Sequence, residues 1–256
     1  MKTVVAQQFR QTLSGSKRPC LFLCSDEAGA EVEVVVKFRE GVTNNILGLV
    51  SEAICAQLAN ELELSVPEAF FVQVRANMGE FISDQSYAHV VNASVGLNFG
   101  SRLVPSGFAT VPTNDDDFRQ KNPVWPVEVF SNDFLTQNFD RQQGNHNLLF
   151  NGTEYYLIDH EQALQRIYNA SVLEPQIWEV DPLFRHIFYP LLDIATDWST
   201  FYVKYRNIPS RRIETWFQSL PVEWLVRPVE VDRIKSYLLW LRDHLDELDS
   251  VMKGMI

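Results

Sequence analysis

NFDRQQGNHNLLFNGTEYYLIDHE, residues Asn138 to Glu161, contains two short apolar runs, Leu148-Leu149-Phe150 and Tyr155-Tyr156-Leu157-Ile158, on either side of Asn151-Gly152. An Asn-Gly pair tolerates the left-handed backbone of a tight turn, so the stretch predicts a β-hairpin. Asp140 precedes the first run and Asp159 closes the second, and a hairpin turning at Asn151-Gly152 returns both carboxylates to its open end. Asn145 adds an amide to the loop between them. Two acids and an amide converging on one point form the donor set that a Mg²⁺–nucleotide site needs.

Just before this stretch, Pro126 to Asn138 carries Val127, Val129, Phe130, Phe134 and Leu135 at helical spacing and delivers the chain to Asp140. Upstream, Pro19 to Cys24 and Glu31 to Phe38 predict two strands around the turn Ser25 to Gly29. Lys37 ends the valine run of the second strand. There it either snorkels at a strand end or is held in a cleft to meet an anion. Thr43 to Leu62 predicts a helix, with Ile46, Leu47, Leu49, Val50, Ala53, Ile54, Leu58 and Leu62 near the 3.6-residue period. Glu52 breaks that pattern, because its helical neighbours are Leu49, Ala56 and Ala59. A buried acid without a partner costs several kcal/mol, roughly, or neutralises, and Lys37 is the natural candidate for the partner.

Glu68 to Val74 predicts a further strand, after which residues 75–124 read as irregular. Within them, Phe99-Gly100-Ser101-Arg102 either presents backbone N–H groups and a guanidinium to phosphate or is a turn beside a surface arginine. The acidic run Asn114-Asp115-Asp116-Asp117 reads as a solvated loop, since the spaced ligands of a calcium loop do not follow it. Beyond Glu161 the chain turns helical and aromatic, with Trp178, Trp198, Trp216, Trp224 and Trp240 as packing residues. It ends on an amphipathic stripe of Val231, Ile234, Tyr237, Leu238, Leu241, Leu245, Leu248, Val251 and Met252. The expected fold class is α+β. A small N-terminal β-sheet lobe with one helix and a nucleotide-clamping region spans residues 1–124, and a larger, mainly helical lobe spans 125–256, with the hinge between Pro105 and Pro126.

The 33 acidic against 22 basic residues give a net charge of −11, which disfavours a nucleic-acid backbone as the main partner. No apolar run approaches the ~18 residues of a membrane span, and the first ten residues lack the unbroken apolar core of a signal peptide. A cytoplasmic protein is expected. Cys20, Cys24 and Cys55 are odd in number and have no metal-ligand companions, so packed, reduced thiols are expected.

Lys37, Glu52, Asp140, Asn145 and Asp159 together are the parts that phosphoryl transfer requires: a lysine oriented by a helix glutamate, a base for the acceptor hydroxyl, and metal ligands. Over most of its length the chain resembles the HipA-like kinases, the branch related to the C-terminal kinase domain of the bacterial HipA toxin and more distantly to phosphatidylinositol and protein kinases. The resemblance rests on VVVKF (Val34–Phe38), SEAICAQLANELELSVP (Ser51–Pro67), FGSR (Phe99–Arg102), DRQQGNHNLL (Asp140–Leu149) and LIDHE (Leu157–Glu161). It implies a bilobal protein-kinase-like fold. It also implies that Lys37 holds the α- and β-phosphates of ATP, Glu52 orients Lys37, Asp140 is the catalytic base, and Asn145 and Asp159 bind Mg²⁺. The acceptor it implies is a serine or threonine of an unidentified protein.

The chain departs from the pattern of protein kinases. A glycine-rich phosphate loop is missing, since Ser25 to Glu31 offers only Gly29, so Gly100 and Ser101 become candidates for the phosphate clamp. Asn138-Phe139 stands before Asp140, and His160-Glu161 follows Asp159. Two other readings remain open: a non-catalytic nucleotide-binding or partner-binding module, and a metal-dependent phosphoesterase using Asp140, His146, Asp159 and His160. His146 and His160 either orient a neighbour or ligate directly, Asn147 shares metal or turn duties with Asn145, and Arg141 either pairs with the acids or a phosphate or lies exposed on the loop.

Overall fold

Hairpin chemistry sets the first part of the chain. In the computed structural model, which describes residues 1–13, 18–42, 46–110, 123–170, 181–193 and 195–255, β2 (Cys20–Ser25) and β3 (Glu31–Lys37) pair antiparallel from Cys20 opposite Val36 to Ser25 opposite Glu31. The Asp26 carboxylate accepts from the N–H groups of Ala28 and Ala30, and Gly29 takes a φ of 83°, which closes the turn. Cys20, Phe22, Cys24, Val34 and Val36 are buried and face the same interior.

That interior is a closed five-stranded barrel in the order β1-β2-β3-β5-β4. β1 (Lys2–Thr12) pairs antiparallel with β2 and parallel with β4 (Ala69–Val74), and β5 (Gly96–Arg102) lies between β3 and β4. Neither β1 nor β5 follows from the sequence pattern. Only Val4 and Ala6 of β1 are buried, so its polar remainder masks the alternation. The region read as irregular holds a 3₁₀ turn (Met78–Phe81), α2 (Gln85–Ala93), β5 and the short β6 (Ala109–Thr110). Asp84 caps α2 by accepting from the Ser86 N–H at 2.9 Å. The acidic run Asn114 to Asp117 lies outside the described residues.

α1 (Ile46–Glu61) follows β3 and is buried over most of its 16 residues, Glu52 included. It ends where Glu63 adopts a φ of 63° and the Leu64 N–H reaches back to the Ala59 carbonyl. α3 (Val124–Thr136) stops at Gln137, whose φ of 50° breaks the helix and turns the chain toward Asp140. The expected hairpin forms as β7 (Leu148–Phe150) and β8 (Tyr155–Leu157), with β6 added against β7. Among the described residues, the remaining helices are α4 (Gln165–Asn169), α5 (Ser199–Arg206), α6 (Ser210–Gln218) and α7 (Pro228–Met255), joined in part by 3₁₀ turns at Asp181–Arg185, Tyr189–Leu191 and Val222–Trp224.

Two apolar clusters organise the packing. One fills the barrel and reaches α2. The larger joins α1, Phe71 and Phe99 to the hairpin and the C-terminal helices, and takes in the predicted α7 stripe from Val231 to Met252. Trp198, Trp216 and Trp224 are buried in it, while Trp178 lies outside the described residues. Barrel and helices are also tied by polar contacts. The Trp224 indole N–H donates to the Leu97 carbonyl at 2.8 Å, and the Glu223 carboxylate accepts from the Leu97 N–H. All three cysteines are free and buried, and burial pushes the Cys20 and Cys24 thiols up to about 12. Among the described residues, no helix is long and apolar enough to cross a membrane.

Candidate active site

Lys37, at the end of β3, reaches across to two other elements. Its Nζ donates to Glu52 Oε1 of α1 and to Asp159 Oδ1, the latter at 2.6 Å. Glu52 also accepts the His160 backbone N–H at 3.1 Å, so one buried carboxylate holds both the lysine and the segment carrying Asp159. Ladder pairing continues past β8 through the Ile158 N–H to the Asn147 carbonyl at 3.0 Å. Asp159 then takes a φ of 61°, a left-handed conformation that costs a non-glycine residue roughly 1–3 kcal/mol and turns its carboxylate toward Lys37.

Charge and burial compete within this cluster. Burial pushes the Glu52 carboxyl up to about 7 against the opposing attraction of Lys37. Burial would raise Asp159 as well, but the charge and hydrogen bond of Lys37 outweigh it and hold Asp159 below the usual carboxylate range. For Lys37, desolvation is more than offset by Glu52, Asp159 and Glu161, which hold its ammonium above the usual lysine value. His160 is buried, and desolvation with the nearby Arg141 charge pushes its imidazole down to about 3. It is neutral at pH 7, and its Nδ1 lies 3.9 Å from Glu52.

Asp140 sits in the loop after α3. Its Oδ2 accepts from Asn147 Nδ2 at 3.0 Å, and its backbone carbonyl accepts from Asn145 Nδ2 at 3.2 Å. Asn145 closes a small turn with Gln142 in which Gly144 takes a φ of 88°. A cavity of about 700 Å³ brings the two halves together: Lys37, Glu52, Ser101, Asp140, Asn145 and Asp159 all line it. That volume is in the range of about 300–1,000 Å³ typical of small-molecule sites.

Gly100, the other candidate for the phosphate clamp, sits in the barrel wall. It lies within β5 opposite Val36 on one side and Phe70 on the other, and it does not line the cavity. A Cβ there would meet Val34 Cγ1 and Val72 Cγ2 at 2.5 Å, so the missing side chain makes room for barrel packing.

Arg141 is fully buried rather than exposed on its loop, bound to Asp133 at 2.6 Å. Asn147 serves Asp140 directly. Sequence reasoning missed Asp133, His186 and Glu161. Asp133 was within reach, since Val129 and Phe130 share its face of α3 as Leu49 shares the face of Glu52 in α1; His186 carries no comparable pattern. Carboxylate oxygens of Glu52, Asp159 and Glu161 lie within 4.8 Å of one another, a hard-oxygen cluster of the kind that suits Mg²⁺.

A match to the HipA-like kinase family runs over residues 5–251. The chain belongs to that family. No curated protein matches it by sequence. Among solved structures, the Helicobacter pylori proinflammatory kinase CtkA superposes with a TM-score of 0.54 at 14% identity, covering 94% of this chain and 93% of that one. The FAT and kinase domain of CtTel1 reaches only 0.33 at 12% identity, over 91% of this chain and 21% of its own, and adds no weight. Family membership supports a kinase-like function, and the CtkA likeness supports a mixed α+β fold.

Proposed function

We propose that this HipA-like kinase transfers the γ-phosphoryl group of Mg²⁺–ATP to a serine or threonine of a protein, with the nucleotide between an N-terminal lobe, residues 1–124, and a C-terminal lobe, residues 125–256. The observation that carries the reading is Lys37, shared between Glu52 and Asp159 on the wall of a cavity that Asp140 and Asn145 also line. Phosphoryl transfer is chiefly positioning and charge neutralisation, and this arrangement supplies both.

Lys37 binds phosphate oxygens while Glu52 fixes its ammonium from behind. Asp140, steadied by Asn147, accepts the proton of the acceptor hydroxyl. Asp159 and the Oδ1 of Asn145 are the metal ligands, and Ser101 contributes to the phosphate side of the cavity. Mg²⁺, when bound, neutralises charge on the β- and γ-phosphates. The donor chemistry fits it, because Asp159 belongs to a cluster of carboxylate oxygens. A histidine-ligated phosphoesterase centre is less well supported, since among the described residues the grouped potential ligands are all carboxylates.

The test is incubation of the purified protein with isotope-labelled ATP and Mg²⁺, alone and with cell lysate, beside Asp140→Ala and Asp159→Ala. Label should reach protein serine or threonine in the wild type and fall to background in both variants. Transfer surviving both changes refutes the assignment. Mg²⁺–ATP binding without transfer to any protein favours the non-catalytic module.

A further inference from the structure

Asp133, Arg141 and His186 form a polar network in which every member is buried and none lines the cavity that Asp140 lines. The Arg141 Nε donates to Asp133 Oδ2 at 2.6 Å, and the same oxygen accepts from His186 Nε2 at 2.9 Å. Asn138 Nδ2 donates to the other carboxylate oxygen at 3.1 Å. The His186 tautomer follows from its second nitrogen: Nδ1 accepts the Phe188 N–H at 3.1 Å, so the proton resides on Nε2 and points at Asp133. The remaining reach of Arg141 is toward the loop itself. Its Nη1 donates to the carbonyls of His146, at 3.3 Å, and Asn147. The backbone carbonyl of Arg141 in turn accepts the Ile187 N–H at 3.2 Å.

One guanidinium therefore ties the start of the 140–147 loop to its end, and Asp133 with His186 fixes the guanidinium. A buried ion pair adds little net stability compared with apolar packing of the same volume, so its presence needs another reason. The arginine is not placed to satisfy all its donors either, because its buried Nη2 has no acceptor among the described residues. Its planar guanidinium is oriented instead so that Nε meets Asp133 and Nη1 meets the backbone carbonyls of His146 and of Asn147, the residue that holds Asp140.

We propose that Asp133, Arg141 and His186 are positioning residues that set the aim of Asp140 by locking the 140–147 loop from behind. The proposal rests on the phosphoryl-transfer reading of Asp140. Arg141→Lys keeps the charge but loses the planar guanidinium, and His186→Phe loses the proton that anchors Asp133, whereas His186→Gln retains a donor there.

The experiment compares wild type, Arg141→Lys, His186→Phe and His186→Gln by steady-state kinetics and by amide hydrogen exchange read by mass spectrometry. Arg141→Lys should lower kcat by about 10²-fold, the loss expected of a ~1 Å misplacement, with KM for ATP unchanged. Faster exchange should be confined to the peptides spanning 140–149 and 186–188. His186→Gln should recover most of the kcat that His186→Phe loses. Wild-type kcat in Arg141→Lys overturns the proposal, as does a kcat loss accompanied by raised exchange throughout the barrel. Should the wild type bind Mg²⁺–ATP yet transfer no phosphate, the functional reading fails separately, and the exchange data decide: confined loosening in Arg141→Lys supports the lock, and an unchanged 140–149 segment overturns it.

Discussion

Replacing Gly100 by alanine separates two roles that glycine can have in this chain. The added Cβ would stand 2.5 Å from both Val34 Cγ1 and Val72 Cγ2, about 1 Å inside ordinary carbon–carbon contact of ~3.5–4.0 Å. Both valines are fully buried in the barrel cluster. Neither can withdraw without displacing its own neighbours, which places the cost in the overpacking range of about 1–3 kcal/mol. For a chain of this size each kcal/mol lowers the unfolding midpoint by roughly 2–4 °C, so Gly100→Ala should melt about 2–12 °C below wild type. Val72→Ala removes one of the two clashing methyl groups. Combined with Gly100→Ala, it should therefore cost less than the sum of the two single changes, by about 0.5–3 kcal/mol. Thermal unfolding of the four proteins, followed by calorimetric titration with Mg²⁺–ATP, checks this. If Gly100→Ala melts with the wild type but binds Mg²⁺–ATP more weakly, the packing explanation is wrong and Gly100 belongs to the phosphate clamp.

Glu52→Gln, which keeps an acceptor for the His160 N–H but removes the charge behind Lys37, should lower phosphoryl transfer by about 10²-fold without unfolding the chain; wild-type turnover would show that Lys37 is oriented by Asp159 alone. Burial, only partly opposed by Asp133, holds His186 below its ordinary value of 6.5, so as pH falls through that value the unfolded chain takes up a proton that the folded chain refuses. Stability is therefore lost toward acid, and Asp133, held below the usual carboxylate range, adds a loss of the same sign at lower pH. Urea midpoints at pH 7, 5 and 4 should fall more steeply for the wild type than for His186→Gln, and parallel slopes would contradict the argument. Trp224→Phe keeps an aromatic ring against Phe71 but deletes the donor to the Leu97 carbonyl, and should cost about 1–3 kcal/mol in denaturant unfolding.

The parts of the fold that were legible in the sequence are those in which local pattern and tertiary environment agree. The β2–β3 hairpin, α1 and the β7–β8 hairpin each bury the residues that their periodicity selects. The Lys37–Glu52 pair was legible for a related reason, because a charged residue amid apolar neighbours demands a partner. β5 was hidden because Gly96-Leu97-Asn98-Phe99-Gly100 contains turn-forming residues that serve a strand here: Asn98 turns its amide onto the Ser94 and Gly96 carbonyls and accepts the Arg39 N–H, and Gly100 admits two valines. The back of the site was hidden by distance. Nothing local to Arg141 reveals that its partner Asp133 lies eight residues before it, or that Asp133 is also held by His186, forty-five residues after Arg141.

The parallel pairing of β1 with β4 bears on how the chain is made. Lys2 sits opposite Phe70 and Val5 opposite Gln73, while β2 and β3 can pair as soon as their own hairpin is complete. A parallel closure of that span must wait for the sequence through β4, and β5 must then enter between β3 and β4. During synthesis the first strand therefore emerges long before one of its two partners exists. Its largely polar sequence, which obscured it as a strand, keeps that waiting segment soluble and poorly suited to pairing with another nascent chain.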